Sequence, residues 1–424
     1  MPGCDPWFMH HCVSHMTKSP PVPPHDRARL LTAERNRKMA ASAHAYVRGS
    51  TVRFYEWLGA ADRPALPEGP NVWICGDCHV GNLGPVASTE GKLAIQVRDL
   101  DQTVIGNPAH DLVRLGLSLA MAARGSDLPG VTTAHMLEHM VTGYEAAFEE
   151  AASGGSAHSK DDEPGVEIPK LVRLALREAA GRSWKHLADE RIEGTEPRIP
   201  LGTRFWPLTA EERAAVDTLF GTEPLRQLAT SLRMRDGDAG VRVMDAAYWR
   251  KGCSSLGRLR FAVLVAIGHG KTERHCLMDV KEAIEAAAPN GDAGAMPADH
   301  GERVVTGARN LSPYLGGRMV AARMLDRSVF VRELLPQDLK LEIEHLSREE
   351  AMGVAEFLAY VVGQGHARQL EAGDRAAWLR ELHANRTKTL DAPSWLWNSV
   401  VDLVGVHEAA YLRHCRRYAL DLAA

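Results

Sequence analysis

The sequence predicts a bilobal α+β protein, and three observations carry that expectation. Apolar residues recur at helical spacing near both ends of the chain, whereas two separate internal blocks carry short apolar runs bounded by Gly, Asn and Asp. At 424 residues the chain has room for two to four domains of roughly 100–200 residues each, or for one large bilobal unit. Its composition, 45% hydrophobic and 25% charged, is that of a globular protein and excludes disordered, collagenous and disulfide-framework classes.

Helical periodicity runs from Asp26 to Trp57 through Leu31, Met39, Val47 and Phe54. Val72-Trp73-Ile74-Cys75 and Leu93 to Val97 then read as strands. Asn107-Pro108 opens a helix, because Asn is a favoured cap and Pro is tolerated in a first turn. Leu112, Leu115, Leu119 and Ala122 keep one apolar face until Gly125. Residues 130–235 read as mostly helical around a loop from Ala152 to Gly165. Val241–Val243, Leu259–Ile267, His275–Val280 and Val329–Leu334 form the second β block, with a connector from Ala287 to His300. Helices return at Arg348–Leu370 and Trp395–Leu420.

A formal net charge of −4 gives no overall attraction to nucleic acid or to an anionic membrane. No run reaches the roughly 18 apolar residues of a membrane span; the best, Leu112 to Ala123, is broken by Arg114. Residues 1–25 lack the basic-then-apolar pattern of a secretory signal and are expected to be disordered. Seven cysteines, an odd number on a long chain, suit a reducing compartment, so a cytoplasmic protein is expected.

Cys75-Gly76-Asp77-Cys78-His79 admits several chemistries. C-x-x-C-H is a haem attachment pattern, and C-x-x-C is half a zinc site or a redox pair. Haem attachment calls for an export signal, and a zinc site calls for two further ligands of suitable spacing; neither stands in the sequence. A redox pair calls for a helix directly after it, and Val80 to Pro85 starts one poorly. Another arrangement extends past His79: Gly76-Asp77-x-His79-x-x-Asn82 lies between strands and is followed by Asp99. That is the layout of a phosphotransfer loop, in which one Asp orients the acceptor hydroxyl and an Asn and a second Asp hold Mg²⁺.

These residues resemble the kinase-like phosphotransferases, specifically the aminoglycoside and choline kinase branch. That branch carries His-Gly-Asp-x-His-x-x-Asn, an Asp at the next strand end, and Gly-Asp-Pro-x-x-Asp-Leu seven residues on. Here stand Gly76 to Asn82, Asp99-Leu100-Asp101, and Gly106-Asn107-Pro108-Ala109-His110-Asp111-Leu112. Cys75 replaces the leading His, and Leu100-Asp101 departs from the usual Trp-Glu. The phosphate-binding pieces follow the catalytic loop instead of preceding it: Lys251-Gly252-Cys253-Ser254-Ser255-Leu256-Gly257, then Lys281 at the end of a strand. In this order the sequence resembles a bacterial family, domain of unknown function family 2252, over roughly residues 35–370. Tyr46-x-Arg48-Gly49, Val280-Lys281-Glu282 and Gly365-His366-Ala367-Arg368 are among the shared segments.

The resemblance implies a protein-kinase-like fold in circularly permuted order. Residues 26–239 would form a helical lobe with the catalytic loop, 240–335 a β-rich nucleotide lobe, and 336–424 helices completing the helical lobe. Asp77 and His79 would be catalytic, His79 chiefly by holding the loop backbone. Asn82, Asp99 and Asp101 would bind Mg²⁺; Gly252, Ser254, Ser255, Gly257 and Lys281 would bind ATP. Glu302, with Glu285 behind it, would pair with Lys281. Taken singly, Asp77 reads as a turn cap, Lys281 as a snorkelling surface lysine, and Arg48, Arg332 and Lys340, basic groups near the expected cleft, as surface ion-pair partners ahead of phosphate clamps. Asp111 is expected to anchor the catalytic loop, and His366 to be a hydrogen-bonded core histidine. The expected function is phosphoryl transfer from ATP to a hydroxyl or amine of a small-molecule or protein acceptor, with neither nucleic acid nor membrane as partner. Acidic residues near the cleft make a cationic acceptor one option. Adenylyl transfer and a non-catalytic ATP-binding role are the alternatives.

Overall fold

The computed structural model describes residues 22–126, 128–152, 165–184, 187–188, 197–232, 235–253, 255–270, 273–289, 296–341, 346–384, 386 and 391–418. It is a mixed α+β structure. Helices α1 (Pro24–Ala40), α2 (Ala43–Gly49) and α3 (Thr51–Leu58) come first. The chain is already helical at Pro24, ahead of the boundary expected at 26, because proline's fixed φ suits a first turn that needs no N–H. Residues 1–21 of the expected disordered segment lie outside the described residues.

Two small antiparallel ribbons follow. Strand β1 (Val72–Ile74) pairs with β4 (Val104–Gly106), and β2 (Leu83–Ala87) pairs with β3 (Leu93–Val97). Strand β2 escapes the sequence pattern because Gly84 and Pro85 weaken it; proline is tolerated there because a two-stranded ribbon has an unpaired outer edge. Helix α4 (Ala109–Gly125) begins where Asn107 Oδ1 accepts the Ala109 N–H at 2.9 Å. Helices α5 (Gly130–Ala152) and α6 (Lys170–Gly181) follow. Most of the loop expected between 152 and 165 lies outside the described residues.

The next stretch builds the main sheet. Its elements are β5 (Phe205–Trp206), α7 (Ala210–Phe220), α8 (Glu223–Thr230), β6 (Val241–Trp249), β7 (Arg260–Ile267), β8 (Arg274–Glu282), α9 (His300–Leu311), α10 (Pro313–Gly316), β9 (Met319–Met324) and β10 (Arg327–Leu334). The six strands are antiparallel in the order β5-β6-β7-β8-β10-β9. Of the connector expected over 287–300, residues 290–295 lie outside the described residues. Helices α11 (Arg348–Ala367), α12 (Ala372–Ala384) and α13 (Ser394–Tyr418) end the chain.

Burial explains the assembly. Strand β7 is buried along its whole length, and its side chains alternate between two cores. Phe261, Val263 and Val265 join a core with Val216, Leu219, Leu225 and Leu228 of α7 and α8, and Ala262 and Leu264 face the other side. The largest core joins α4, α5, α11 and α13 through residues such as Leu115, Leu137, Leu358 and Val400. A division at residue 239/240 therefore does not follow the packing. Leu31 of α1, strand β5 and helices α7 and α8 all side with the sheet, and the buried Arg27–Glu212 ion pair (2.5 Å) ties α1 to α7. Helical periodicity reveals an apolar stripe but not which surface it covers, and here an otherwise naked sheet face takes two helices. Among the described residues, no helix is long and apolar enough to cross a membrane.

His407 of α13 is fully buried, and its Nδ1 is 2.9 Å from the Leu403 carbonyl. Burial pushes its pKa down to about 3, so it is neutral in the folded state, whereas an unfolded histidine protonates near 6.5. Between those values the unfolded state holds the extra proton, and stability falls as pH falls. The contribution is about 1.4 kcal/mol per pH unit. Denaturant melts between pH 7 and 4 should show this slope, and His407→Gln should remove its share.

Candidate active site

The segment after β1 is shaped by one turn and one carboxylate. Gly76 has φ +73°, and a methyl group on it would lie 2.1 Å from the Gln102 carbonyl oxygen, so no larger residue fits. Asp111, in the first turn of α4, accepts the N–H groups of Cys75 (2.7 Å) and Gly76 (3.0 Å). It thereby anchors the loop, as its position in the sequence suggests. A buried chain supports it: Trp378 Nε1 donates to the Tyr144 hydroxyl (3.2 Å), which lies 3.0 Å from His366 Nδ1, and His366 Nε2 is 3.2 Å from Asp111. Donors and acceptors alternate along this chain if His366 carries its proton on Nε2.

Asp77 follows on the same turn and is 7% exposed. Its Oδ1 accepts two bonds from Arg114, from Nε at 3.0 Å and Nη2 at 2.8 Å. Arg114 is fully buried, and its Nη2 also reaches the Val47 carbonyl at 2.6 Å, fastening α2 to the turn that bears Asp77. Burial raises the Asp77 carboxyl above the ordinary range, against the opposing pull of Arg114. The other oxygen, Oδ2, lies 3.9 Å from His79 Nε2. Burial, with Arg114 and Arg48 nearby, holds His79 well below its usual pKa, so its imidazole is neutral. Asn82 donates its Nδ2 to the Asp77 carbonyl at 3.0 Å, which fixes the amide and leaves its oxygen available.

The second half of the site comes from the sheet. Lys281, near the end of β8, is almost fully buried, and its Nζ lies 3.2 and 3.3 Å from the Asp99 oxygens and 2.5 Å from Asp101 Oδ2. Desolvation works to raise Asp99, but Lys281 and the nearby Arg332 and Arg260 outweigh it and hold that carboxyl low. Burial and the Asp99 charge push Asp101 up. Two residues before Lys281, on the same face, Asp279 is clamped by Arg260 at 2.8 and 2.6 Å and approached by Arg332 Nε at 3.3 Å. The strand register dictates this grouping: Arg260 stands opposite Lys281 on β7, and Arg332 stands opposite Asp279 on β10.

Together these elements line a cleft of about 440 Å³, within the size range of small-molecule sites. Asp77, His79, Asn82, Asp99, Gly252 and Ser255 all border it, as do Arg48, Arg332 and Lys340. Lys281 and Asp101 stand directly behind Asp99. Gly257 does not line the cleft; a methyl group on it would lie 3.9 Å from the Ala28 carbonyl of α1. Ser254 lies outside the described residues. Glu302 is not the partner of Lys281: it is exposed on the first turn of α9, where it complements the helix dipole, and Asp99 and Asp101 take the lysine instead. Helix α9 turns Arg303 inward in its place, bonding the carbonyls of Asp101 (3.0 Å), Ile284 (2.8 Å) and Thr103.

Eight Lys or Arg side chains border the cleft against two Asp, which suits an anionic ligand. Cys75 and Cys78 are free, buried thiols, and among the described residues no group of three His, Cys, Asp or Glu is placed to hold a metal unaided. Two carboxylates and an amide oxygen are hard donors. They fit Mg²⁺ that completes its shell with phosphate oxygens and water, and they do not fit zinc or haem iron.

A family model described as "Uncharacterized protein conserved in bacteria (DUF2252)" matches residues 27–417, and the chain belongs to that family. No curated protein and no solved structure matches it significantly.

Arg114 and Asp279 carry much of this geometry, although no motif in the sequence marks them as site residues. Their only sequence signal is a charge inside an apolar run, Arg114 within α4 and Asp279 within Leu277-Met278-Asp279-Val280. Arg114→Ala should lower the unfolding free energy by about 3–5 kcal/mol, because it leaves Asp77 buried and unpaired. Adding Asp77→Asn should restore part of that loss in denaturant melts, since a neutral amide needs no counter-ion.

Proposed function

We propose that the chain is a Mg²⁺-ATP-dependent phosphotransferase acting on a hydroxyl or amine, with a protein-kinase-like bilobal fold in circularly permuted order. One observation carries the proposal: Lys281 of the sheet meets Asp99 and Asp101 of the β3–β4 connection, beside a cleft that also contains Asp77 and Asn82. A phosphate-binding lysine, a metal-binding carboxylate and an acceptor-orienting carboxylate are the three parts that phosphoryl transfer needs.

Asp99, assisted by Asp101 and the Asn82 amide oxygen, would hold Mg²⁺, which would neutralise phosphate charge. Lys281 would exchange its carboxylate partners for phosphate oxygens, and the turn at Gly252 and Ser255 would approach the same phosphates. The acceptor oxygen or nitrogen forms a bond to the γ-phosphorus while the bond to the β,γ-bridging oxygen breaks. ADP leaves with that electron pair, and the acceptor proton passes to Asp77 Oδ2. Oδ1 stays locked by Arg114, so Asp77 would orient the acceptor through Oδ2.

Purified protein with Mg²⁺ and γ-labelled ATP, offered panels of hydroxyl and amine acceptors, tests the proposal. Label should reach an acceptor, with turnover reduced about 10²–10⁴-fold by Asp77→Asn and abolished by Asp99→Ala. Turnover should also fall as pH drops through the raised Asp77 pKa, because only the carboxylate accepts the proton. Transfer of an α-label instead would mean adenylyl transfer, binding without transfer would mean a nucleotide sensor, and absence of ATP binding would refute all three.

A further inference from the structure

We propose that Arg48 is a catalytic residue of this cleft, its guanidinium gripping the γ-phosphoryl group as it moves from nucleotide to acceptor. The proposal rests on the phosphotransfer reading above and adds a residue to it.

Charge pairing separates Arg48 from most of its cationic neighbours; Arg98 also has a buried Nε without a partner, but its Nη2 donates to the Asp338 carbonyl at 2.8 Å. Arg260 and Arg332 share Asp279, Lys281 is held by Asp99 and Asp101, and Lys38 and Arg250 share Glu34. Arg48 also borders the cleft, yet among the described residues it has no ion-pair or hydrogen-bond partner, and its Nε is buried with none. A buried guanidinium N–H without an acceptor is costly, and an incoming anion supplies the missing acceptor.

Position narrows which anion. A methyl group on Gly81 would lie 2.9 Å from Arg48 Nε and 3.0 Å from Cζ, so the guanidinium rests directly on the catalytic loop, in space that only glycine leaves open. On the other side, a methyl on the adjacent Gly49 would lie 2.6 Å from Met39 Cγ and 3.0 Å from Cys253 Sγ, so the end of α2 lies beside both α1 and the glycine turn. A group between the turn that approaches the phosphates and the loop that bears Asp77 stands where the phosphoryl group must pass.

The backbone is fixed to match. Arg114 bonds both Asp77 Oδ1 and the carbonyl of Val47, the residue before Arg48, so base and guanidinium share one anchor. Tyr46 packs its ring near those of Tyr411 and His414 on α13, which holds α2 from behind. During transfer the charge on the three equatorial oxygens is spread but not lost, and a planar guanidinium can bond two of them at once. Bonds break and form as described above; Arg48 gives up no proton.

Calorimetric titration of the full chain with Mg²⁺ and either ADP or the non-hydrolysable β,γ-imido analogue of ATP tests this without an acceptor. Wild type should bind the analogue more tightly than ADP. Arg48→Ala should weaken analogue binding by about 10- to 100-fold while leaving ADP affinity within about twofold. Arg48→Lys should keep part of the preference, and Gly81→Ala, which displaces the guanidinium but keeps the charge, should lose it. The last two variants decide the matter if Arg48→Ala fails to fold. Unchanged discrimination in folded Arg48 and Gly81 variants, or its absence in wild type, would overturn the role of Arg48 and leave the phosphotransfer reading standing. A wild-type protein that binds neither nucleotide would overturn both.

Discussion

The structure turns on the contact between Lys281 and the carboxylates of Asp99 and Asp101. An ammonium that is 3% exposed is tolerable only if it is neutralised at close range, and both partners come from a chain segment more than 170 residues earlier. The contact joins the sheet to the two small ribbons and sets the back wall of the cleft. It also leaves a functional option open. Asp99 keeps 45% of its side chain exposed, so one member of the cluster remains accessible to an incoming cation.

Two further buried charge groups hold the surroundings in register with it. Arg114 binds Asp77 and α2 together, and Asp111 draws the turn at Cys75 and Gly76 onto α4. Each connects elements distant in sequence, and each leaves no freedom in the backbone that bears Asp77. Buried ion pairs of this kind contribute little net stability compared with apolar packing. Fixing one geometry is what they do well, and here the geometry is that of a cleft bordered by more cations than anions.

Much of this was legible in the sequence, though unevenly. Short motifs with rigid internal spacing were readable: Gly76 to Asn82, Asp99, Lys281 and the anchoring Asp111 all stand around one site. The strands over 260–267 and 274–282 were legible because they are long and apolar, and α11 because it is long and periodic. Strands β2 and β9 were not, because Gly84 and Pro85 break one and alanines dilute the other. A helix-borne glutamate such as Glu302 is the partner that analogy offers Lys281, whereas Asp101 supplies that charge from a loop. The pairing of Arg114 with Asp77 was invisible because periodicity records which face a residue occupies and not what it meets across the core.

The central claim is that the Lys281–Asp99–Asp101 cluster is a phosphate and metal site held closed by its own charges. A crystal structure of the full chain with Mg²⁺ and a non-hydrolysable ATP analogue tests it most directly. The account predicts the metal bound to Asp99, and Lys281 Nζ turned from the carboxylates to a phosphate oxygen. An intact cluster with the nucleotide bound elsewhere would contradict it.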